Sequence, residues 1–263
     1  MRKYFDLDKQ IRHLVINKSL MIGYEELKDA EKVLRDRNYQ HFVSCSKVKQ
    51  VEFFEPNLKM YKTAPFSEWC DYFEMDKKVS KHLIDNLLDF ELTINSRVSH
   101  YLSDLMESGT LTDHERNEII VFISRLSNRS QASFSAYNGN ETWNFVYKMT
   151  FGEMKHLVFW LYDHKHEVYL KVVDGYSLLR KNVKNRFNEL NHLRNSLFHL
   201  TPLTVYLTYG TVRNWRLNSS ERKKVVRWIS DINVYQEMRD RVNEICYYSD
   251  NYLKIKNSLR NAD

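Results

Sequence analysis

Glycine and proline are scarce in this chain, with six glycines and three prolines in 263 residues. Few positions therefore need a left-handed backbone, and few breakers interrupt regular structure, which points to long helices. Cysteine is nearly missing too. Cys45, Cys70 and Cys246 are far apart and odd in number, which excludes a disulfide framework and a cysteine metal pair and points to a reducing, cytoplasmic setting. No run of 18 apolar residues occurs, so neither a membrane span nor a secretory leader is expected. What the chain does have is 43% hydrophobic residues, enough for a sizeable core, and 14% aromatics, which a helical bundle can absorb. Its net charge of +6 permits a polyanionic partner without requiring one.

Hydrophobic spacing divides the chain into helices. Ile11, Leu14, Val15 and Leu20 give the first, from Asp6 to Leu20. Gly23 breaks it, and Leu27, Ala30, Val33 and Leu34 give a second from Glu25 to Arg37. Val43 to Lys62 reads as a connector with a short extended piece at Val51–Phe54. Pro65-Phe66 opens the main body. From Ser67 to Met106 one or two long helices carry a stripe of Leu83, Leu87, Leu88, Leu92, Ile94, Val98 and Leu102. Thr112 and Glu115 form a capping box for a helix through Leu126. Asn128 to Asn144 reads as a loop. Phe151 to Tyr162 and Val168 to Leu200 are helical, the latter with a kink near Val183. Leu203 to Leu217 is β-branched and aromatic, which leaves a small β-hairpin insertion open. Ser219 to about Leu259 is helical again. The expectation is an all-α fold, with residues 1–62 as an N-terminal helical subdomain and connector and 63–263 as the main helical domain.

The most informative stretch is Arg194-Asn195-Ser196-Leu197-Phe198-His199. Histidine can take or give a proton at a ribose hydroxyl near neutral pH. Arginine holds its charge and grips phosphate with a planar fork, and asparagine can hold a phosphate oxygen or a neighbouring side chain. Such chemistry needs no metal and no other cofactor. Spacing alone does not decide, since Arg35/His41 and Arg186/His192 show the same loose pattern. Residues turn about 100° each along a helix. Asn188, His192, Asn195 and His199 therefore share one face, opposite Leu190, Leu193, Leu197 and Leu200, which should face the core. Arg194 and His199 lie about 140° apart on that geometry. Either the helix end distorts before Pro202, or two copies of the helix build one composite site in a dimer. The plainer readings are a histidine capping a helix dipole and an arginine paired with Glu189 or another acid.

Basic clusters that could follow an RNA backbone are Arg180, Lys181, Lys184, Arg186 and His192 on the motif segment, and Arg222, Lys223, Lys224 and Arg227 further on. Rival readings are a DNA-binding N-terminal helix pair, an RNA-binding module without catalysis, and a helical scaffold for protein partners.

In the order of its motifs the chain resembles the Abi-like family of bacterial abortive-infection proteins, of the AbiD/AbiF type. The resemblance rests on Gly23 with the Leu27–Leu34 helix and Arg37-Asn38-Tyr39, and on Tyr72-Phe73-Glu74-Met75-Asp76. Phe90-Glu91 with Arg97, Thr150-Phe151-Gly152-Glu153-Met154, and Arg194-Asn195 with His199 complete it. The last of these matches the HEPN motif. Where relatives continue with polar residues, this chain has Leu200-Thr201-Pro202-Leu203. The resemblance implies a HEPN-like helical bundle, a metal-independent endoribonuclease working as a homodimer in phage defence, and a structured noncoding RNA as a restraining partner. It implies Arg194, Asn195 and His199 as catalytic residues. Glu91 would either hold the fork of Arg194 or form a structural salt bridge.

Overall fold

The computed structural model describes residues 6–36, 38–126, 139–210, 218–232 and 235–260, and the fold is all-α. Helices α1 (Leu7–Arg12), α2 (Leu27–Asp36) and α3 (Tyr39–Ser46) come first. A 3₁₀ turn follows at Lys47–Phe53, then α4 (Phe66–Glu107), the longest helix. Next are α5 (Asp113–Leu126), α6 (Thr142–Tyr147), α7 (Phe151–His164), α8 (His166–Val172) and α9 (Val183–Phe198). The chain ends in α10 (Leu203–Tyr209), α11 (Ser219–Ile232) and α12 (Gln236–Arg260). Strands are two-residue fragments. β1 (Leu20–Met21) pairs in parallel with β4 (Ala64–Pro65), and β2 (Phe54–Glu55) pairs antiparallel with β3 (Met60–Tyr61). No helix among the described residues is long and apolar enough to cross a membrane.

The chain forms two compact units, one of Met1–Ile84 with Leu193–Asp263 and one of Asp85–His192. In the first, Leu14, Leu20, Ala30, Leu34, Phe42 and Trp69 are buried together. The ring of Phe42 lies 5.7 Å from Phe66, 6.1 Å from Trp69 and 5.5 Å from Phe73. Such tilted and edge-on pairs add to the large area that aromatic rings bury. α10 packs against α3, α11 and α12 in the same unit.

In the second unit α4 buries Leu87, Phe90, Ile94, Val98 and Leu102, a stripe of steps of three and four. Phe90 packs edge-on against Tyr176 at 5.0 Å and Phe151 at 6.2 Å, and Phe151 stacks on Phe187 at 6.3 Å. Arg97 donates to the carbonyls of Val172 (3.2 Å) and Asp174 (2.6 Å) and lies over the ring of Tyr176, tying α4 to the turn after α8. At the start of α7 a reciprocal capping box joins Thr150 and Glu153. The box expected at Thr112 and Glu115 also forms.

Several expectations are corrected. Leu88 and Leu92 are exposed, because they fall off the buried stripe of α4. The helix expected from Val168 to Leu200 is broken rather than kinked. Gly175 at φ +80° and Asn182 at φ +55° are left-handed positions that no helix interior accommodates, and α9 starts afresh at Val183. Leu203 to Tyr209 is helical where a hairpin was open; residues 211–217 lie outside the described residues. The first helix stops at Arg12, continues as a π turn to Asn17, and leaves Leu20 in a strand. α2 begins at Leu27, and Arg37 lies outside the described residues. Val51–Phe53 is 3₁₀ rather than extended. Of the expected 128–144 loop, Thr142–Asn144 already belong to α6, while residues 127–138 are not described.

Candidate active site

The helix α9 is placed by its apolar stripe. Val183, Phe187, Leu190, Leu193 and Leu197 are at most 2% exposed. Asn188, His192, Arg194 and Asn195 are half-buried on its other sides, and His199 is exposed. Leu200, expected on the core face, is 78% exposed because the helix has already ended.

The end of the helix explains the placement of His199. Its N–H donates to the Asn195 carbonyl at 3.1 Å, the last bond in helical register. Leu200 then turns left-handed, with φ +57°. Its N–H reaches the Leu197 carbonyl at 2.9 Å, and the Thr201 N–H reaches that of Ser196 at 3.0 Å. This paired arrangement is a Schellman cap, with leucine where glycine is usual. His199 is thus the capping residue itself, held by backbone bonds, with its imidazole in solvent. The helix end does not distort to bring His199 round to Arg194. An expected result follows for Leu200→Gly. Relief of the left-handed strain, with no buried apolar area lost, should raise stability by about 0.5–1 kcal/mol, read as a melting midpoint about 2 °C higher. A lower midpoint would show that the turn depends on the leucine side chain.

Arg194 is oriented within the same turn. Its guanidinium carbon lies 4.3 Å from the centre of the Phe198 ring, one turn on. Its Nη1 approaches Asn195 Oδ1 at 3.4 Å. The stack sets the plane of the fork, an orientation that a lysine ammonium could not copy.

The segment after the cap is fixed from α4. Asp76, 1% exposed, accepts from the backbone N–H of Leu203 (2.8 Å) and of Thr204 (2.7 Å) and from the Thr204 hydroxyl (2.6 Å). Ser80 donates to it at 3.1 Å, and Tyr72 shares a hydrogen bond with Thr204 at 2.9 Å. One carboxylate therefore satisfies the first amides of α10, just behind Pro202. Burial raises the Asp76 carboxyl above its ordinary value, against the opposing pull of its bonds from Thr204 and Leu203. The chain on both sides of His199 is thereby pinned, by the Schellman cap before Thr201 and by Asp76 after Pro202.

The family model for Abi-like proteins matches residues 32–205, more than half of the chain, from within α2 to just past Thr204. This chain belongs to the Abi-like protein family. It is by that membership an abortive-infection protein. No curated protein and no solved structure matches it.

In the second unit of this Abi-like protein the motif helix carries a further polar group. Lys155, on α7, donates to Asn188 Oδ1 at 2.7 Å. Burial lowers the Lys155 ammonium below its ordinary value. Burial and then the charge of Lys155 lower the His192 imidazole below its ordinary value. Among the described residues no carboxylate forms an ion pair with Lys155. Its role is not legible from residue spacing, because its approach to Asn188 depends on how α7 and α9 pack. Glu91 sits half-buried on α4 in this unit.

The remaining candidates are spread out. Arg180, Lys181 and Lys184 are exposed, with Arg180 3.8 Å from Asp174 and Lys184 2.8 Å from Asp163; Arg186 is half-buried. Arg222 and Lys223 are not surface cations. They lie on the inner face of α11 beside Val225, Val226 and Ile229, where Arg222 donates to the Leu207 carbonyl at 2.9 Å and Lys223 pairs with Asp250. Of that cluster Lys224 and Arg227 are exposed. The pair Arg35/His41 falls on two helices, with Asn38 capping the second through the His41 N–H at 3.1 Å. Arg186 and His192 share α9 with the favoured pair.

Proposed function

We propose that this Abi-like protein is a metal-independent endoribonuclease of the HEPN type, acting in phage defence by RNA cleavage. The observation that carries the reading is the end of α9. There an arginine fork is oriented by Phe198 and Asn195, and an exposed histidine sits on a doubly pinned cap. In the reaction the ribose 2′-hydroxyl attacks the adjacent phosphorus in line. His199 takes the hydroxyl proton or gives one to the departing 5′-oxygen. Arg194 holds charge on the phosphorane, and Asn195 orients the phosphate or the fork. The products are a 2′,3′-cyclic phosphate and a 5′-hydroxyl.

Arg194 and His199 point about 140° apart on one helix, so the site is proposed to form from two copies, in a twofold dimer with each arginine facing its partner's histidine. A bound noncoding RNA would hold the toxin in check before infection. Arg180, Lys181, Lys184, Lys224 and His192 are proposed contacts to the RNA backbone.

Purified protein incubated with single-stranded RNA in chelator should release fragments ending in 2′,3′-cyclic phosphate and 5′-hydroxyl. Protein that retains a discrete RNA yet cuts none would instead be a silent RNA-binding module. Co-expression of Arg194→Ala with His199→Ala tests the composite dimer. Random pairing leaves one intact site in half of the dimers, or about a quarter of wild-type activity. No recovery would place both residues in one protomer's site.

A further inference from the structure

A pocket of about 590 Å³ opens in the first unit, against the turn that carries His199. Its apolar wall is made by Phe73 and Ile84 from α4 and by Leu197, Leu200 and Pro202 around the cap. Its rim is cationic and polar, with Lys77 and Lys81 from α4 and His41 from α3. Lys81 is exposed and has no ion pair among the described residues; Lys77 meets Glu74 only at 4.0 Å. The His41 backbone N–H donates to Asn38, and among the described residues its half-buried ring has no hydrogen bond. Of the three carboxylates in the lining, Asp76 accepts from the amides of Leu203 and Thr204, Glu74 faces Lys77 at 4.0 Å, and Asp36 is exposed.

We propose that this pocket takes one nucleotide of a single-stranded RNA, its base against Phe73, Ile84 and Pro202 and its phosphate on Lys77, Lys81 and His41. The volume falls within the range of ligand pockets, and the pairing of a flat apolar wall with nearby cations is the chemistry that receives an unstacked base and its backbone. Asp36 and Asn38 offer an acceptor and a donor to the base edge. Leu200 is the link to cleavage. Its exposed side chain forms part of the wall, and it directly follows His199, so the occupant sits beside the turn that presents the imidazole. The pocket thereby selects which nucleotide stands next to the cleaved bond, an inference that rests on the ribonuclease reading.

The test uses the full chain with His199→Ala, so that RNA is not consumed, and a fluorescein-labelled single-stranded oligoribonucleotide titrated by anisotropy. Lys77→Glu with Lys81→Glu should weaken binding at least tenfold and flatten the salt dependence by about 1.4 in log–log slope, two phosphate contacts' worth. Ile84→Trp fills the pocket and should weaken binding about fivefold with the salt slope unchanged. Leu200→Asn removes part of the apolar wall without adding charge and should weaken binding similarly, from an exposed position whose left-handed backbone asparagine tolerates, which guards against misfolding of the tryptophan variant. Loss on charge reversal with no effect of Ile84→Trp or Leu200→Asn would reduce the site to a charged surface and overturn the proposal. So would wild-type affinity in all three. The two readings fail separately. Wild-type His199 protein that binds through the pocket but never cuts RNA sinks the ribonuclease, whereas cleavage with unaltered site choice in the pocket variants sinks the pocket.

Discussion

His199→Ala is expected to lower the rate of RNA cleavage by about 100- to 10,000-fold, the usual contribution of one positioned acid or base, while leaving the fold intact. The imidazole is exposed, and the bonds at this position are made by backbone, from the His199 N–H to Asn195 and from Leu200 and Thr201 to the carbonyls behind them. Alanine keeps all of them. The only stability at stake is the attraction of a charged imidazole to the helix C-terminus, about 0.3–1 kcal/mol. Measured together, cleavage rate and melting curve separate two roles. A catalytic histidine gives a large fall in rate at an unchanged midpoint. A simple dipole cap gives unchanged cleavage and a slightly lower midpoint. In bacteria induced to express the chain, growth arrest and RNA fragmentation should both vanish with the substitution. Arrest that persists with His199→Ala would refute the proposed mechanism.

The helices were legible because their signals are local. Thr112 with Glu115 announced α5, and the scarcity of glycine and proline announced long helices such as α4. Errors arose where a distant partner overrides local preference. Leu203 to Tyr209 is β-branched and aromatic, yet it is helical because a carboxylate more than a hundred residues earlier caps its first amides. Arg222 and Lys223 read as surface charge, because a helical period cannot tell that the Leu207 carbonyl and Asp250 wait on the inner side. Leu200 read as core because a 3.6-residue period runs on past the end of its helix, and nothing in leucine advertises a left-handed turn. At the candidate site, Arg194 and His199 are singled out from three similarly spaced pairs by the Asn195 that follows the arginine and by the long helical run around them. Their setting is not legible there: the stack on Phe198 needs the helix register, and the hold of Asp76 needs the fold.

That hold carries the largest expected effect on stability. Asp76→Ala should destabilise the protein by about 3 kcal/mol, because it strands the buried Thr204 amide and takes the better acceptor from the Leu203 amide, which keeps only Ser80 Oγ at 3.3 Å, and from the Thr204 hydroxyl, which keeps only Tyr72. The loss reaches the motif directly, since the freed amides belong to Leu203 and Thr204, directly behind Pro202, and the pinned turn gains slack. Cleavage should therefore fall in Asp76→Ala even at temperatures where the protein stays folded. Asp76→Asn is the milder probe. It keeps one oxygen for one amide, but turns an NH₂ towards the other donor. Its pH dependence is fixed by the sign of the carboxyl's shift. Burial raises the folded value, so the folded state holds the proton more tightly than the unfolded chain. The stability due to this proton is full below the ordinary carboxylate range and declines as pH rises through the raised value. Asparagine has no such proton, so the advantage of wild type over Asp76→Asn in urea unfolding should be greatest in acid and shrink towards neutrality. A gap that instead widened with pH would mean that the bonds from Thr204, Leu203 and Ser80 outweigh burial and hold Asp76 as a carboxylate.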